Sequence, residues 1–383
     1  MISKHLALTL LLTSLCSTSL FAQSLESRVE GLLIGSMIGD ALGGPVEYRE
    51  RQQSHWVTQG LKMKSEDFRT MASRVSLQAY VEPPEAYGQW VNLAPAGSVT
   101  DDSRFKFMFI DFLKSGKEHT QQAFGEYMLG YYEQPGTLYD SLKTEWLNEF
   151  ASVWYNLQDA GHPKAKPRER VWGGIPTMAG QMPFLPLASL YPGNPEEAYL
   201  ATWKINSMDN GVAMDVTSAL VAGLSTALVA ENWEDVFTAM RTTDPFGYAE
   251  VPWVPRRFNE WMDQSISIAE RAEGSPSRLF EILEQELNAR TWWETWVPVV
   301  ISFSCLHFAE YNGLAAMQLT VEFGYDTDSA AQLLGAFVGA MHGGEVFADR
   351  LSDPVKEQLT DQYQVDFDKL VQTLLAAKPI PSE

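Results

Sequence analysis

Three short acidic segments, far apart in the chain, carry the residue types that hold hard cations: Gly39-Asp40-Ala41-Leu42-Gly43-Gly44-Pro45-Val46-Glu47, Thr100-Asp101-Asp102-Ser103 and Asp326-Thr327-Asp328-Ser329. Carboxylate and hydroxyl oxygens with no Cys or His beside them select Mg2+, Ca2+ or Mn2+ over Zn2+. A multi-ion site gathers its oxygens from several helices, so the wide separation is no obstacle. The bland reading is also open. Ser, Thr and Asp are preferred helix N-caps, and the second and third segments each stand directly before an apolar helix, where free N–H groups and the dipole favour negative charge. None of the six histidines forms a ligand pair at helical spacing.

The elements that must position these segments are helices. Apolar residues recur mostly at i, i+3, i+4, and this spacing predicts helices over 25–43, 104–115, 119–132, 138–159, 194–206, 213–230, 233–241, 255–272, 276–289, 294–309, 312–322, 328–341 and 364–377. Two stretches are irregular. Residues 49–97 read as a long loop or small hairpin, and 161–192, with Trp172-Gly173-Gly174-Ile175-Pro176, suits a binding loop. Gly31, Gly35, Gly39 and Gly43 fall on one face of the first helix. Each costs about 1 kcal/mol relative to alanine, so the bare face has a purpose: close packing of a neighbouring helix, or a metal centre pressed against it.

The composition narrows the function classes. A chain of 383 residues with 45% hydrophobic residues can bury a sizeable core, and no composition shift marks a linker. With 49 acidic against 28 basic residues it repels phosphate backbones and anionic headgroups, which disfavours nucleic-acid and membrane-surface binding. No phosphate-binding glycine loop, nucleophile elbow or HExxH zinc motif is present. Twelve tryptophans raise the possibility of a sugar or base platform, with Trp172, Trp253, Trp292, Trp293 and Trp296 in view, although aromatics more often fill the core.

Lys4 and His5, the apolar run Leu6–Leu15 and the small residues up to Ala22 resemble a secretory signal peptide, with residues 23–383 as one following domain. A membrane anchor is the alternative, weakened by a run well short of the ~20 residues a bilayer needs. A lipoprotein reading would use Cys16, but Leu15 is bulky where a small residue is expected. The expected location is exported, periplasmic or secreted, with no stable membrane insertion after cleavage. Removal of 1–22 takes away one basic and no acidic residue, and leaves Cys305 without a disulfide partner.

Taken together and in order, the three segments resemble the ADP-ribosylglycohydrolase family, which includes dinitrogenase reductase-activating glycohydrolase, ADP-ribosyl-arginine and ADP-ribosyl-serine hydrolases and a lens crystallin. Gly31 to Gly43 is similar to the family's opening helix, with Glu47 seven residues after Asp40. Thr100-Asp101-Asp102-Ser103 resembles its Thr-Asp-Asp-Thr turn. Phe323-Gly324-Tyr325-Asp326-Thr327-Asp328-Ser329, followed by Gly335-Ala336 and Gly339-Ala340, resembles its closing Gly-Gly-Asp-Thr-Asp-Thr helix start. The resemblance implies an all-α fold, an orthogonal helical bundle with two Mg2+ (or Mn2+) ions in a central cleft. It implies Thr100, Asp101, Asp102, Asp326, Asp328 and Ser329 as metal ligands, with Glu47, Asp102 and Asp326 at the chemistry. Asp40, Trp172, Gly173, Gly174, Met178, Gln181, Asp209, Asn210 and Tyr325 would face the substrate.

The chain departs from the family pattern where a substrate would be read. Trp172 to Gln181 stands in place of a frequent Asn-Gly-Ala-Ala-Met-Arg stretch and lacks its Arg. Asn206-Ser207-Met208-Asp209-Asn210-Gly211 replaces a Thr-His-x-His neighbourhood, and Tyr325 replaces a glycine. The leading expectation is an exported Mg2+-dependent hydrolase of an ADP-ribosyl or related ribosyl bond, acting through activated water. A metal-dependent glycosidase acting on an extracellular oligo- or polysaccharide is the alternative, and a non-catalytic binding protein on the same fold a third.

Overall fold

A computed structural model describes residues 23–44, 47, 95, 97–134, 145–287, 293–347 and 349–379. The expected leader at 1–22, nearly all of the irregular 49–97 stretch, Trp292 and the first residues of the helix expected from 138 lie outside them. The described residues form helices joined by turns and loops, with no strand among them and one isolated antiparallel bridge between Thr177 and Glu294. The helices of ten residues or more are α1 (Leu25–Gly43), α2 (Asp101–Lys114), α3 (Gln121–Glu133), α4 (Glu145–Gln158), α5 (Pro195–Ile205), α6 (Val212–Ala227), α7 (Trp233–Thr242), α8 (Arg257–Arg271), α9 (Pro276–Glu286), α10 (Val297–Phe308), α11 (Gly313–Phe323), α12 (Thr327–His342), α13 (Asp349–Tyr363) and α14 (Phe367–Ala376). None is long and apolar enough to cross a membrane.

The centre of the fold is the antiparallel pair α1 and α12. Both are buried on nearly every side, as expected for helices with no polar stripe. The glycine face explains how close they come. A Cβ on Gly31 would overlap the carbonyl of Gly339, one on Gly35 that of Gly335, one on Gly39 that of Ala331, and one on Gly43 the backbone of Asp328. Packing is therefore the role of the bare face, and it also carries the end of α1 onto the acidic start of α12. Ser24 caps α1 by accepting from the Ser27 amide at 3.1 Å. Buried Arg28 donates to the carbonyls of Ala227 (2.9 Å) and Ala230 (2.7 Å), satisfying acceptors at the end of α6.

The stretch 161–192, expected as a binding loop, instead holds the buried helical turns Gln181–Phe184 and Leu185–Leu190, whose apolar side chains join the core. One longer helix also goes beyond the sequence expectation. α13 forms although Pro354 lies inside it, because Leu351, Val355 and Leu359 recur every four residues and are fully buried. That burial outweighs the lost backbone hydrogen bond. Its last residue, Tyr363, accepts from Arg104 Nε at 3.1 Å and donates to the Val99 carbonyl at 3.2 Å, bracing the segment that leads into α2.

Candidate metal centre and active site

The site forms where the end of α1 and the starts of α2 and α12 converge. Asp40, in the last turn of α1, is fully buried. Its carboxylate accepts from the amides of Thr100 (3.0 Å) and Ser103 (3.1 Å) and from the Ser103 hydroxyl (2.5 Å). A negative group aimed at the first turn of α2 complements its free N–H groups and its dipole. Asp40, expected at the substrate, thus spends its oxygens on fixing α2 against α1. Thr100 caps α2, its hydroxyl accepting from the Asp102 amide at 3.3 Å. Thr327 Oγ1 donates to the Gly43 carbonyl at 3.0 Å, tying α12 to α1.

Two carboxylate groups result. Glu47, Asp326 and Asp328 bring ligand oxygens within 4.8 Å of one another, and so do Asp101, Asp102 and Asp328. Asp328 belongs to both. Ser329 Oγ donates to Asp102 Oδ2 at 3.2 Å, joining the two helix starts. Thr100, Asp102, Asp326, Asp328 and Ser329 are buried, whereas Glu47 and Asp101 are partly exposed.

Electrostatics makes this arrangement costly without a cation. Burial first, and neighbouring carboxylates second, hold Glu47, Asp102 and Asp328 well above the usual carboxylate range. The same causes push Asp326 up to about 7, with Asp102 as its leading neighbour. Asp101 is raised by burial and by Asp40. Asp102 Oδ1 and Asp326 Oδ2 are buried with no hydrogen-bond partner. Asp326 does not cap α12, for its side chain accepts no cap hydrogen bond, so the N-cap reading fails where it is most direct. Orphaned, clustered carboxylate oxygens fit a hard divalent cation, and the all-oxygen donor set fits Mg2+ or Mn2+ chemistry.

One charged residue was missed in the sequence. Lys106 is fully buried, and its ammonium donates to the Asp102 carbonyl (2.9 Å) and to Gln332 Oε1 (2.6 Å). Gln332 Oε1 also accepts from Ser36 Oγ at 2.9 Å, so three helices meet at one amide oxygen. Burial lowers the Lys106 pKa, while Asp102, Asp40, Asp101 and Asp328 raise it. The signal was legible: a lone cation inside the apolar run Phe105 to Ile110, one turn after Asp102.

The sequence model of the ADP-ribosylglycohydrolase family matches residues 22–379. This chain belongs to the ADP-ribosylglycohydrolase family. A comparison with curated proteins finds no match. As a member of this family the protein is a hydrolase of glycosidic bonds acting on small-molecule or glycosyl substrates, in a family that is typically metal dependent.

The expected substrate-reading stretches 172–181 and 206–211 are bound to each other and, through the first, to residues 293–295. Met178 N donates to the Trp293 carbonyl (3.0 Å) and Thr295 N to the Pro176 carbonyl (3.0 Å). Gln181 Nε2 donates to the Thr295 carbonyl at 2.9 Å. Asp209 accepts from Gly180 N (2.7 Å), Asn206 Nδ2 (2.6 Å) and Thr217 Oγ1 (2.6 Å), and Asn210 Nδ2 reaches the Ile175 carbonyl at 3.5 Å. Met178, Gln181 and Asp209 are buried in this network, whereas Gly173 and Gly174 are exposed and Trp172 partly so. Trp172 takes a left-handed backbone, φ 52°, and its ring meets Trp293 edge-on at 6.5 Å. Tyr325 is also left-handed, φ 66°, a conformation that glycine adopts without strain.

Proposed function

We propose that this glycohydrolase is exported and uses two divalent cations, Mg2+ foremost, to hydrolyse an ADP-ribosyl or related ribosyl glycosidic bond. The observation that carries the reading is the sharing of Asp328 between two carboxylate groups whose buried oxygens Asp102 Oδ1 and Asp326 Oδ2 lack partners. Glu47, Asp326 and Asp328 would hold one cation and Asp101, Asp102 and Asp328 the other, with Thr100 and Ser329 supplying hydroxyl oxygens. Cations bound there supply Lewis acidity that polarises water and orients a ribose diol.

The chain's own groups do the rest. Glu47 is partly exposed beside Asp326 and Asp328, which supports a role for it in accepting the proton of an attacking water. Asp102 and Asp326, as ligands, would fix where the cations meet a sugar whose carbon becomes oxocarbenium-like as its bond breaks. Asp40 holds the Thr100–Ser103 turn, so the second group keeps its register on the first. The basic start, apolar run and small residues of 1–22 support export.

The deciding experiment is isothermal titration of ADP-ribose into the Mg2+-loaded protein, followed by assay of ADP-ribose release from modified proteins. Binding lost in Asp101→Ala, release abolished in Asp328→Ala and turnover cut in Glu47→Gln with the fold intact are the expected results. Absence of ADP-ribose binding with Mg2+ still held would overturn the ribosyl reading in favour of a glycan substrate.

A further inference from the structure

A cavity lies away from the carboxylates. Its volume is about 810 Å3, within the range of small-molecule sites, and none of Glu47, Asp101, Asp102, Asp326 or Asp328 lines it. It sits over the first turn of α6, between Trp203 on α5, Gln121 at the start of α3, Arg168, and the segment from Tyr248 to Arg257. The back wall is rigid and electrically closed. Arg256 and Asp215 are buried and paired, with Nη2–Oδ1 at 2.6 Å and Nε–Oδ2 at 3.0 Å, and Tyr199 donates to the same carboxylate at 2.7 Å. Arg257 pairs with Glu260 at 2.7 Å.

Arg168 is different. Its guanidinium donates to Gln121 Oε1 and to Met214 Sδ (3.3 Å), both neutral, and it makes no ion pair among the described residues. The charges of Asp209 and Glu169 favour its charged form without a hydrogen bond to it: Asp209 accepts from Gly180, Asn206 and Thr217, and Glu169 is exposed at the rim. A half-buried guanidinium that no carboxylate hydrogen-bonds among the described residues is a feature that an anionic ligand would complete. The mouth is apolar. Tyr248, Val251 and Val254 line it and are exposed large hydrophobics.

We propose that this cavity binds an aromatic or alicyclic monocarboxylate, Arg168 taking the carboxylate and the Tyr248, Val251 and Val254 wall covering the ring. The restriction to one anionic group follows from the one guanidinium on offer. A polyphosphate would need further donors and would meet the chain's negative field with no apolar gain. A neutral sugar would need several free polar side chains, and Asp215 and Arg256 are engaged with each other. Burial of a ring against the apolar wall supplies affinity that a bare inorganic anion lacks.

The test is isothermal titration of 3-phenylpropionate, and separately of its neutral amide, into the full Mg2+-loaded protein. The acid is expected to bind at least about tenfold more tightly than the amide, the scale of one charge-assisted pair. Arg168→Gln is expected to erase that preference. Val254→Asp, on an exposed position that cannot disturb the core, is expected to weaken the acid about as much. Equal binding of acid and amide, absence of binding by both, or an acid preference that survives Arg168→Gln would overturn the proposal. Displacement of the acid by ADP-ribose would also overturn it, because the cavity would then belong to the hydrolytic cleft. Failure of the ribosyl reading of the metal centre leaves each of these outcomes unaffected.

Discussion

Gly43 lies directly on the backbone of Asp328, with no space for a Cβ between them. The contact ties the packing of α1 on α12 to the position of the carboxylate common to both ligand groups. Four glycines in register lower the helix separation to backbone contact, and the last of them sets where Asp328 begins its turn. Sequence spacing, helix packing and ligand geometry are thus one chain of cause.

Gly43→Ala therefore acts on the site as well as on the fold. The methyl forces the start of α12 outward, with an overpacking cost of about 1–3 kcal/mol. The expected result is a lower melting temperature together with weaker Mg2+ binding by isothermal titration. Gly130→Ala is the control, since a Cβ there meets nothing within 4 Å and should leave Mg2+ affinity unchanged.

Without cations, stability should decline as pH rises. Asp326 is raised from 3.8 to about 7 in the folded protein, so between these values the folded state holds more protons than the unfolded one. Its favourable contribution is present below about pH 4 and is lost as pH passes 7. Glu47, Asp102 and Asp328 shift in the same direction. Calorimetry in chelator should show the melting temperature falling from pH 4 to pH 7, and Mg2+ should flatten that slope. Titration in buffers of different ionisation enthalpy should show proton release on Mg2+ binding at pH 6.

Asp40 and Asp328 are both buried acids, yet their amides should behave in opposite ways. Asp40→Asn places an NH2 among three donors and loses charge-assisted bonds at the start of α2, at a cost of about 2 kcal/mol with or without cation. Asp328→Asn removes like-charge repulsion from both ligand groups. It should raise the melting temperature in chelator and abolish the gain on adding Mg2+. Equal behaviour of the two variants would mean that Asp328 is structural.

Much of this was readable from the chain, and the rest has identifiable causes. The helices follow from apolar spacing, and the three acidic segments stand out because their hydroxyls and carboxylates adjoin apolar runs. Thr100 and Asp326 are equally good caps by residue type, so the chain alone cannot tell that Thr100 caps while Asp326 keeps a free buried oxygen. α13 was hidden by Pro354, a helix breaker overridden by the burial of Leu351, Val355 and Leu359. The convergence of Asp40 on Ser103, and of Lys106 on Gln332, depends on tertiary packing that no local pattern encodes.

Lys106 gives the last test. Its ammonium stands behind the carboxylates on two neutral oxygens; burial lowers its pKa, and Asp102, Asp40, Asp101 and Asp328 offset part of that by favouring the charged form. Lys106→Met keeps the apolar stem but removes the one buried cation that faces the acids among the described residues. Gln332 Oε1 retains the Ser36 hydroxyl, so no acceptor there is stranded. The carboxylates then repel with nothing between them, and the variant should lose about 2 kcal/mol in chelator. Saturating Mg2+ should recover most of that loss, widening the gap between the loaded and chelated melting temperatures relative to wild type. An equal loss in both conditions would make Lys106 a packing residue with no electrostatic part in the centre.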